Sequence, residues 1–245
     1  MSGAEFQTWR KPPTHPSLDA GDIHIWRFDL ATPAVAREQL LGFLSLDERA
    51  RADRFVFEKH RDAYIAARGS LRRTLGRYLQ ADPAALCFTY STLGKPALDK
   101  TFNPQDLRFN LSHSAGVALL ALAVACEVGV DIECVRDDFP YLEIAEKFFS
   151  ASEYAVLCAA EPALQRELFF NYWTHKEAFI KATGVGLSVP LNQFEVSLLP
   201  GVPAKHLNAA VQVPPHTLHA LAPRAGYVGA LAVLGACKQI FLWEA

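Results

Sequence analysis

The sequence predicts an α+β protein built as a pseudo-dimer of two similar lobes, and two observations carry that expectation. Phe148-Phe149-Ser150-Ala151-Ser152-Glu153 echoes Phe43-Leu44-Ser45-Leu46-Asp47-Glu48, so one capping box follows another after 105 residues. A long helix is expected after each box, and Arg68 to Gly76 can be laid on Lys176 to Gly184 at an offset of 108. The competing explanation is that any two amphipathic helices look alike. Duplication places an N-terminal lobe at 1–127, with a flexible Pro-rich start, and a C-terminal lobe at 128–245. A cleft between two such lobes is where ligand sites form.

Taken in order, Lys11 to Asp19 is a Pro-rich lead-in, and order is expected to begin at a strand over Ile23 to Phe28, where apolar and polar residues partly alternate. Ser45 can accept from the backbone N–H of Glu48, starting a helix that runs toward Phe55. A longer helix spans Lys59 to Leu79. After turn signals at Gly94-Lys95-Pro96 and Asn103-Pro104, Phe109 to Val124 reads as two short strands broken at Ser112 to Gly116. Gly129-Val130-Asp131-Ile132-Glu133 reads as a strand with Val130 and Ile132 on one face and both carboxylates on the other, about 7 Å apart. Along the helix that contains Trp173 to Lys181, Phe169, Phe170, Trp173 and Ile180 form one stripe, and Glu177 falls inside it. Gly184 and Gly186 then end the helix and let backbone approach a ligand, or serve as plain C-cap glycines.

Composition excludes several classes of function. A chain of 245 residues with 51% hydrophobic and 20% charged residues and a net charge of −2 is an ordinary globular protein. It lacks the basic excess of a nucleic-acid binder, so no nucleic-acid partner is expected. No run reaches the roughly 18 apolar residues of a membrane span, and the start lacks the pattern of a signal peptide, so a cytoplasmic protein with no membrane association is expected. Five scattered cysteines form no C-x-x-C pair and read as reduced packing residues.

The chemistry-bearing residues are polar groups where apolar ones are expected. Asp131 and Glu133 on one strand face repel unless a cation or solvent separates them, and their oxygens suit Mg²⁺ or Mn²⁺. An exposed edge strand wearing ordinary surface acids gives the same pattern. Glu177 on an apolar stripe needs a partner, and Lys181 at i+4 supplies one as a simple helix salt bridge. Asn110-Leu111-Ser112-His113-Ser114 at a strand break offers hydroxyls, an imidazole and loose backbone donors for an anion such as phosphate. A lone histidine is more often structural, Gly94-Lys95-Pro96 can be a plain turn, and Glu48 to Arg54 can be a solvated helix face.

Five motifs in order nevertheless resemble those of the Sfp-type 4′-phosphopantetheinyl transferases. They are G-K-P at Gly94 to Pro96, F-N-L-S-H-S at Phe109 to Ser114, G-V-D-I-E at Gly129 to Glu133, K-F-F-S at Lys147 to Ser150, and W-x-x-K-E-A-F-I-K at Trp173 to Lys181. The resemblance covers about Ser45 to Leu187. It implies the two-lobed fold of that family, with coenzyme A bound on the N-terminal side and the metal site and transferase motifs in the C-terminal lobe. It also implies a reaction in which a carrier-protein serine attacks the β-phosphorus of coenzyme A, phosphopantetheine moves, and 3′,5′-ADP leaves.

Carried over residue by residue, the resemblance makes Asp131, Glu133 and Glu177 the metal ligands and Asp131, Glu177 and Lys181 the catalytic residues, with Glu177 also the candidate general base. Lys181 would bind the phosphate being transferred, His113 and Arg51 the 3′-phosphate, and Lys95 with Ser112 the adenosine and phosphate end, in a cofactor site that includes Gly94, Pro96 and Asn110. One departure is Glu48, which stands where some members carry a basic residue; Arg54 or Arg61 would then assist Arg51. The implied partner is an acyl or peptidyl carrier protein, and the Trp173, Lys176-Glu177-Ala178 form resembles members serving polyketide and nonribosomal peptide synthetases. A monomer is expected, since the chain already holds two lobes. Two rivals use the same residues: a Mg²⁺-dependent phosphohydrolase with water as nucleophile, and a catalytically silent carrier-binding protein, which would need the carboxylates broken.

Overall fold

Val117–Val124 reads V-A-L-L-A-L-A-V, and a strand with no polar face must be covered on both sides. A computed structural model, which describes residues 7–184, 186, 189–198, 205–207 and 215–245, shows how the chain covers it. Val185 and Leu187, from the end of the Trp173 motif, lie outside the described residues. The first half runs β1 (Asp22–Asp29), α1 (Ala34–Gly42), α2 (Leu46–Ala52), α3 (Glu58–Leu79), β2 (Phe88–Tyr90), β3 (Pro96–Leu98), β4 (Leu107–Ser114) and β5 (Val117–Val124). The second runs β6 (Glu127–Cys134), α4 (Tyr141–Phe148), α5 (Ala151–Ala159), α6 (Pro162–Thr183), β7 (Glu195–Ser197), β8 (Lys205–Leu207), β9 (His216–Leu221) and β10 (Tyr227–Leu234), and β11 (Gln239–Glu244) ends the chain.

Each half therefore gives a strand, three helices and four strands. The sheets repeat as well, in the orders β11-β1-β5-β4 and β6-β10-β9, so the first strand of each half lies antiparallel to the last. β11 falls in the second half of the sequence yet pairs parallel with β1 in the first sheet. Alternation along the strands explains the layering. Ile23, Ile25, Leu119 and Ala121 of the first sheet meet Val130, Ile132, Leu231 and Val233 of the second, a face-to-face core between the sheets. The opposite faces are covered by the long helices: Trp26, Phe28 and Leu120 with Leu71 and Leu75 of α3, and Ala230 and Ala232 with Ala178 and Phe179 of α6.

Both capping boxes form, and each anchors its half. The Glu48 carboxylate accepts from the Ser45 N–H at 3.1 Å, from Arg72 Nε at 2.5 Å and from Arg68. The Glu153 carboxylate accepts from the Ser150 N–H at 2.9 Å, from Lys176 Nζ at 2.8 Å and from the Val196 N–H at 2.8 Å. Both glutamates are 3% exposed. This corrects the helix alignment. α3 and α6 are both 22 residues long and start 104 residues apart, not 108, so Arg72 corresponds to Lys176, and each neutralises its own capping-box glutamate. Glu48 thus stabilises the fold rather than standing at a phosphate site.

Other expectations also shift. The helix from Ser45 stops at Ala52, short of Phe55. The Pro-rich start, expected to be flexible, is tied down on both sides of residue 11: the Arg10 N–H donates to Leu242 O at 2.9 Å, and Arg77 donates to Thr14 O at 3.1 Å within the lead-in itself. All five cysteines are free, but Cys87 and Cys158 are exposed rather than packed.

Candidate active site

The site forms where β4 of the first half faces β6 of the second. These strands are joined by side-chain bonds rather than a backbone ladder, made by three alternate short polar residues of β4, Asn110, Ser112 and Ser114. Asn110 Oδ1 accepts from the Val130 N–H at 2.8 Å, Ser112 Oγ donates to Asp131 Oδ1 at 2.8 Å, and Ser114 Oγ donates to Glu133 Oε2 at 2.8 Å. Ser112, Ser114 and Asn110 therefore lie within a strand that runs to Ser114, not at a strand break with loose backbone donors. The reversal is a two-residue turn at Ala115 and Gly116, both at positive φ, as tight hairpins require.

On the other side of β6, helix α6 comes unusually close. A Cβ at Gly129 would lie 2.0 Å from Ala178 O and 2.3 Å from Ala182 N, so glycine is what lets the helix touch the strand. That approach brings Lys181 onto Asp131. Its ammonium donates to Asp131 Oδ1 at 2.5 Å and to Ser112 Oγ at 3.0 Å, rather than bridging back to Glu177 one turn away. Asp131 is 3% exposed, and its second oxygen, Oδ2, is buried without a hydrogen-bond partner. A buried carboxylate oxygen with no donor is costly, and it marks a place where a cation or donor belongs.

Glu177 lies half-buried on the face of α6 that carries Phe169, Phe170 and Trp173, while Lys176 beside it is fully buried against Glu153 and the Leu191 and Phe194 carbonyls. Burial pushes the Glu177 carboxyl above its ordinary value; Lys181 opposes this, and the Asp131 and Glu133 charges add to it. Burial also raises Glu133, with the Ser114 hydrogen bond opposing and Asp131 adding. Glu177 and Lys181 line a cavity of about 230 Å³ whose walls include Gly94, Lys95, Pro96, Asn110 and Gly184.

The predicted residues are not all gathered in one place. Asp131, Ser112 and Lys181 touch, and Glu133 and Glu177 stand within electrostatic reach of them. Among the described residues, no three His, Cys, Asp or Glu side chains stand close enough to enclose a metal. His113 points to the other face of β4 and is exposed, yet partial loss of hydration and the Lys181 charge hold its imidazole below its ordinary value. Arg51 is on α2 with its guanidinium 5.5 Å from the Tyr64 ring centre. Lys95 has its ammonium on Glu127 Oε2 at 2.6 Å and Ala182 O at 3.0 Å. Sequence reasoning named the Ser114 hydroxyl for an anion, not for Glu133, and missed Glu127, although β6 signals it: Glu127, Gly129, Asp131 and Glu133 alternate with Val128, Val130 and Ile132.

Residues 127–231 match the model of the 4′-phosphopantetheinyl transferase superfamily, and residues 33–125 match the N-terminal model of 4′-phosphopantetheinyl transferase. The chain is 39% identical over 237 residues to 4′-phosphopantetheinyl transferase HetI of Nostoc sp., covering 97% of this chain and 98% of that protein. It is also 33% identical to 4′-phosphopantetheinyl transferase Sfp of Bacillus subtilis, over 66% of this chain and 69% of that one. The paired halves, the Asp131 to Lys181 contact across β6 and α6, and a full-length relative at this identity lead to one assignment: the chain belongs to the 4′-phosphopantetheinyl transferase superfamily, in its Sfp-type branch.

Proposed function

We propose that this phosphopantetheinyl transferase moves the phosphopantetheine arm of coenzyme A onto a serine of an acyl or peptidyl carrier protein, releasing 3′,5′-ADP, at the cavity beside Asp131, Glu177 and Lys181. The observation that carries the site is Asp131: one buried oxygen is fixed by Ser112 and Lys181, and the other has no donor. That free oxygen is a hard donor of the kind Mg²⁺ takes, with Mn²⁺ as a substitute; Glu133 and Glu177, which do not enclose a metal with Asp131 in this arrangement, would have to move inward to complete the ligand set. When bound, the ion would neutralise charge on the coenzyme A pyrophosphate.

The residues of the chain supply the rest. Lys181, already oriented by Asp131 and Ser112, has a third N–H to offer the phosphate being transferred. Glu177 is the base that takes the serine proton, and its raised pKa brings it nearer the operating pH at which such a base works best. Gly94, Pro96 and Asn110 shape the cavity that receives the cofactor, and His113 and Arg51 supply basic groups for its 3′-phosphate. The division into lobes at residue 127 is supported by the repeated element order, and a monomer by the two sheets that already pack on each other. Five free thiols and a coenzyme A substrate support a cytoplasmic setting.

The test is the intact mass of an apo carrier protein after incubation with the enzyme, coenzyme A and Mg²⁺, with an EDTA control. A metal-dependent gain of one phosphopantetheine is expected. Free phosphopantetheine with an unmodified carrier would instead identify a hydrolase.

A further inference from the structure

Lys95 belongs to the hairpin between β2 and β3, yet its side chain crosses to the second half of the molecule. Its stem passes over Gly184, where a Cβ would lie 3.4 Å from Lys95 Cδ, and its ammonium reaches Ala182 O at 3.0 Å, Glu127 Oε2 at 2.6 Å and Val128 O at 3.5 Å. An ammonium has three N–H donors, and three acceptors of this chain surround it. Ala182 O is among the last carbonyls of α6, which have no partner within the helix and which a cation complements. Glu127 is held in turn by Arg108, whose NH1 donates to Oε1 at 2.7 Å. The Lys95 side chain is 18% exposed.

We propose that Glu127 is a positioning residue for the transfer reaction: by holding the Lys95 ammonium on the C-terminal carbonyl of α6, it locks the Gly94–Pro96 turn against the helix that carries Glu177 and Lys181. The turn and the helix end both line the same cavity and touch where the Lys95 stem passes Gly184, so the lock fixes that part of its wall. Lys95 then acts as a clamp inside the protein, with no N–H left for a phosphate. Glu127 touches neither the carboxylates nor the cavity. It acts only through Lys95.

The functional part rests on the transferase reading, so the test has one arm that does not. In the free protein, Glu127→Gln keeps the shape and removes the charge. Backbone amide exchange at Gly94, Thr183 and Gly184 should quicken, while exchange in β5 stays unchanged; equal exchange at those amides in both proteins would overturn the lock whether or not the enzyme transfers anything. In the transfer assay, the same variant should raise KM for coenzyme A about two- to fivefold, the worth of a partly exposed ion pair. The value of kcat and the KM for the carrier should hold within about twofold. An unchanged or lowered KM for coenzyme A would overturn the proposal, since a freed Lys95 would then be a phosphate ligand that Glu127 had been restraining.

Discussion

The two halves of this molecule share a scaffold and differ in what one contact carries. β1 and β6 are both eight residues long and start 105 residues apart, and α3 and α6 are both 22 residues long and start 104 apart. At those offsets Trp26 corresponds to Asp131 and Arg77 to Lys181. The two positions meet in both halves. In the second, Lys181 donates to Asp131; in the first, the Arg77 guanidinium lies 5.1 Å from the Trp26 ring centre. A cation on the last turns of the long helix thus covers the first strand in each half, over a carboxylate on one side and an indole on the other. Phe28 likewise stands where the second half has Glu133. The scaffold is set by apolar layers and capping-box ion pairs, and a site arises where a few inward positions of one half become acidic.

The sharpest way to break the comparison is to alter this contact on each side. Asp131→Ala and Glu177→Ala should each lower transfer by about 10²–10³-fold, as expected when electrostatic stabilisation of a phosphoryl transition state is lost, with circular dichroism unchanged. Arg77→Met should leave kcat within about twofold. It should lower Tm by a few degrees, since it loses the ring contact and the bonds to Pro13 O and Thr14 O. Near-full activity in either carboxylate variant would remove the site from the second half.

The capping-box anchors test the shared part. Glu48→Ala leaves Arg72, 2% exposed, without its carboxylate, and Glu153→Ala does the same to Lys176, which is fully buried. Removing one partner of a buried ion pair costs about 3–5 kcal/mol, and denaturant unfolding should show losses of similar size in both variants. A loss confined to one half would mean that the matched ion pairs are not equivalent supports. A smaller effect is expected at Gly129→Ala. The added methyl would collide with the α6 backbone, costing about 1–3 kcal/mol by overpacking and reducing transfer by displacing Lys181 from Asp131.

Much of this was legible in the sequence, and what was not has identifiable physical causes. The strands at Ile23 and Gly129, the long helices and both capping boxes follow from period, caps and turns, which are local signals. Asp131, Glu177 and Lys181 stood out because polar groups broke an apolar pattern. The helix offset was misjudged because glycines and small residues align almost as well at 108 as at 104; the helix bounds and the ion pairs of Arg72 and Lys176 to their capping-box glutamates separate the two registers. Lys95 was read from a turn motif, and nothing local to a turn records that its side chain crosses to a helix end 87 residues away. The β1–β11 pairing is equally non-local: β1 lies between β5 and β11, and the parallel partner on that side comes from the far end of the chain.

The smallest expected effect contrasts Glu177 with Arg73, its counterpart on α3. Burial raises the Glu177 pKa, so the folded protein keeps this proton to a higher pH than the unfolded chain, whose carboxyl titrates near the ordinary 4.5. The stability contributed by this group is therefore fully present below that ordinary value and is lost as pH rises through the raised, folded one. Wherever that carboxyl is ionised, its half-buried charge is a net cost to the metal-free protein. Glu177→Gln should then raise Tm at pH 7 by about 2 °C while lowering transfer as Glu177→Ala does, and should have no stabilising effect near pH 4. Arg73→Gln removes a guanidinium that stays charged throughout this range, so its effect on Tm should be the same at both pH values. Adding Mg²⁺ at pH 7 should reverse the order of wild type and Glu177→Gln if the ion gains the Glu177 carboxylate as a ligand, because ligand binding stabilises only the state that binds it. Thermal scans of the two variants and the wild type at pH 4 and 7, with and without Mg²⁺, would decide it. An unchanged order would leave Glu177 as a base that does not hold the metal, and would confine the metal site to β6.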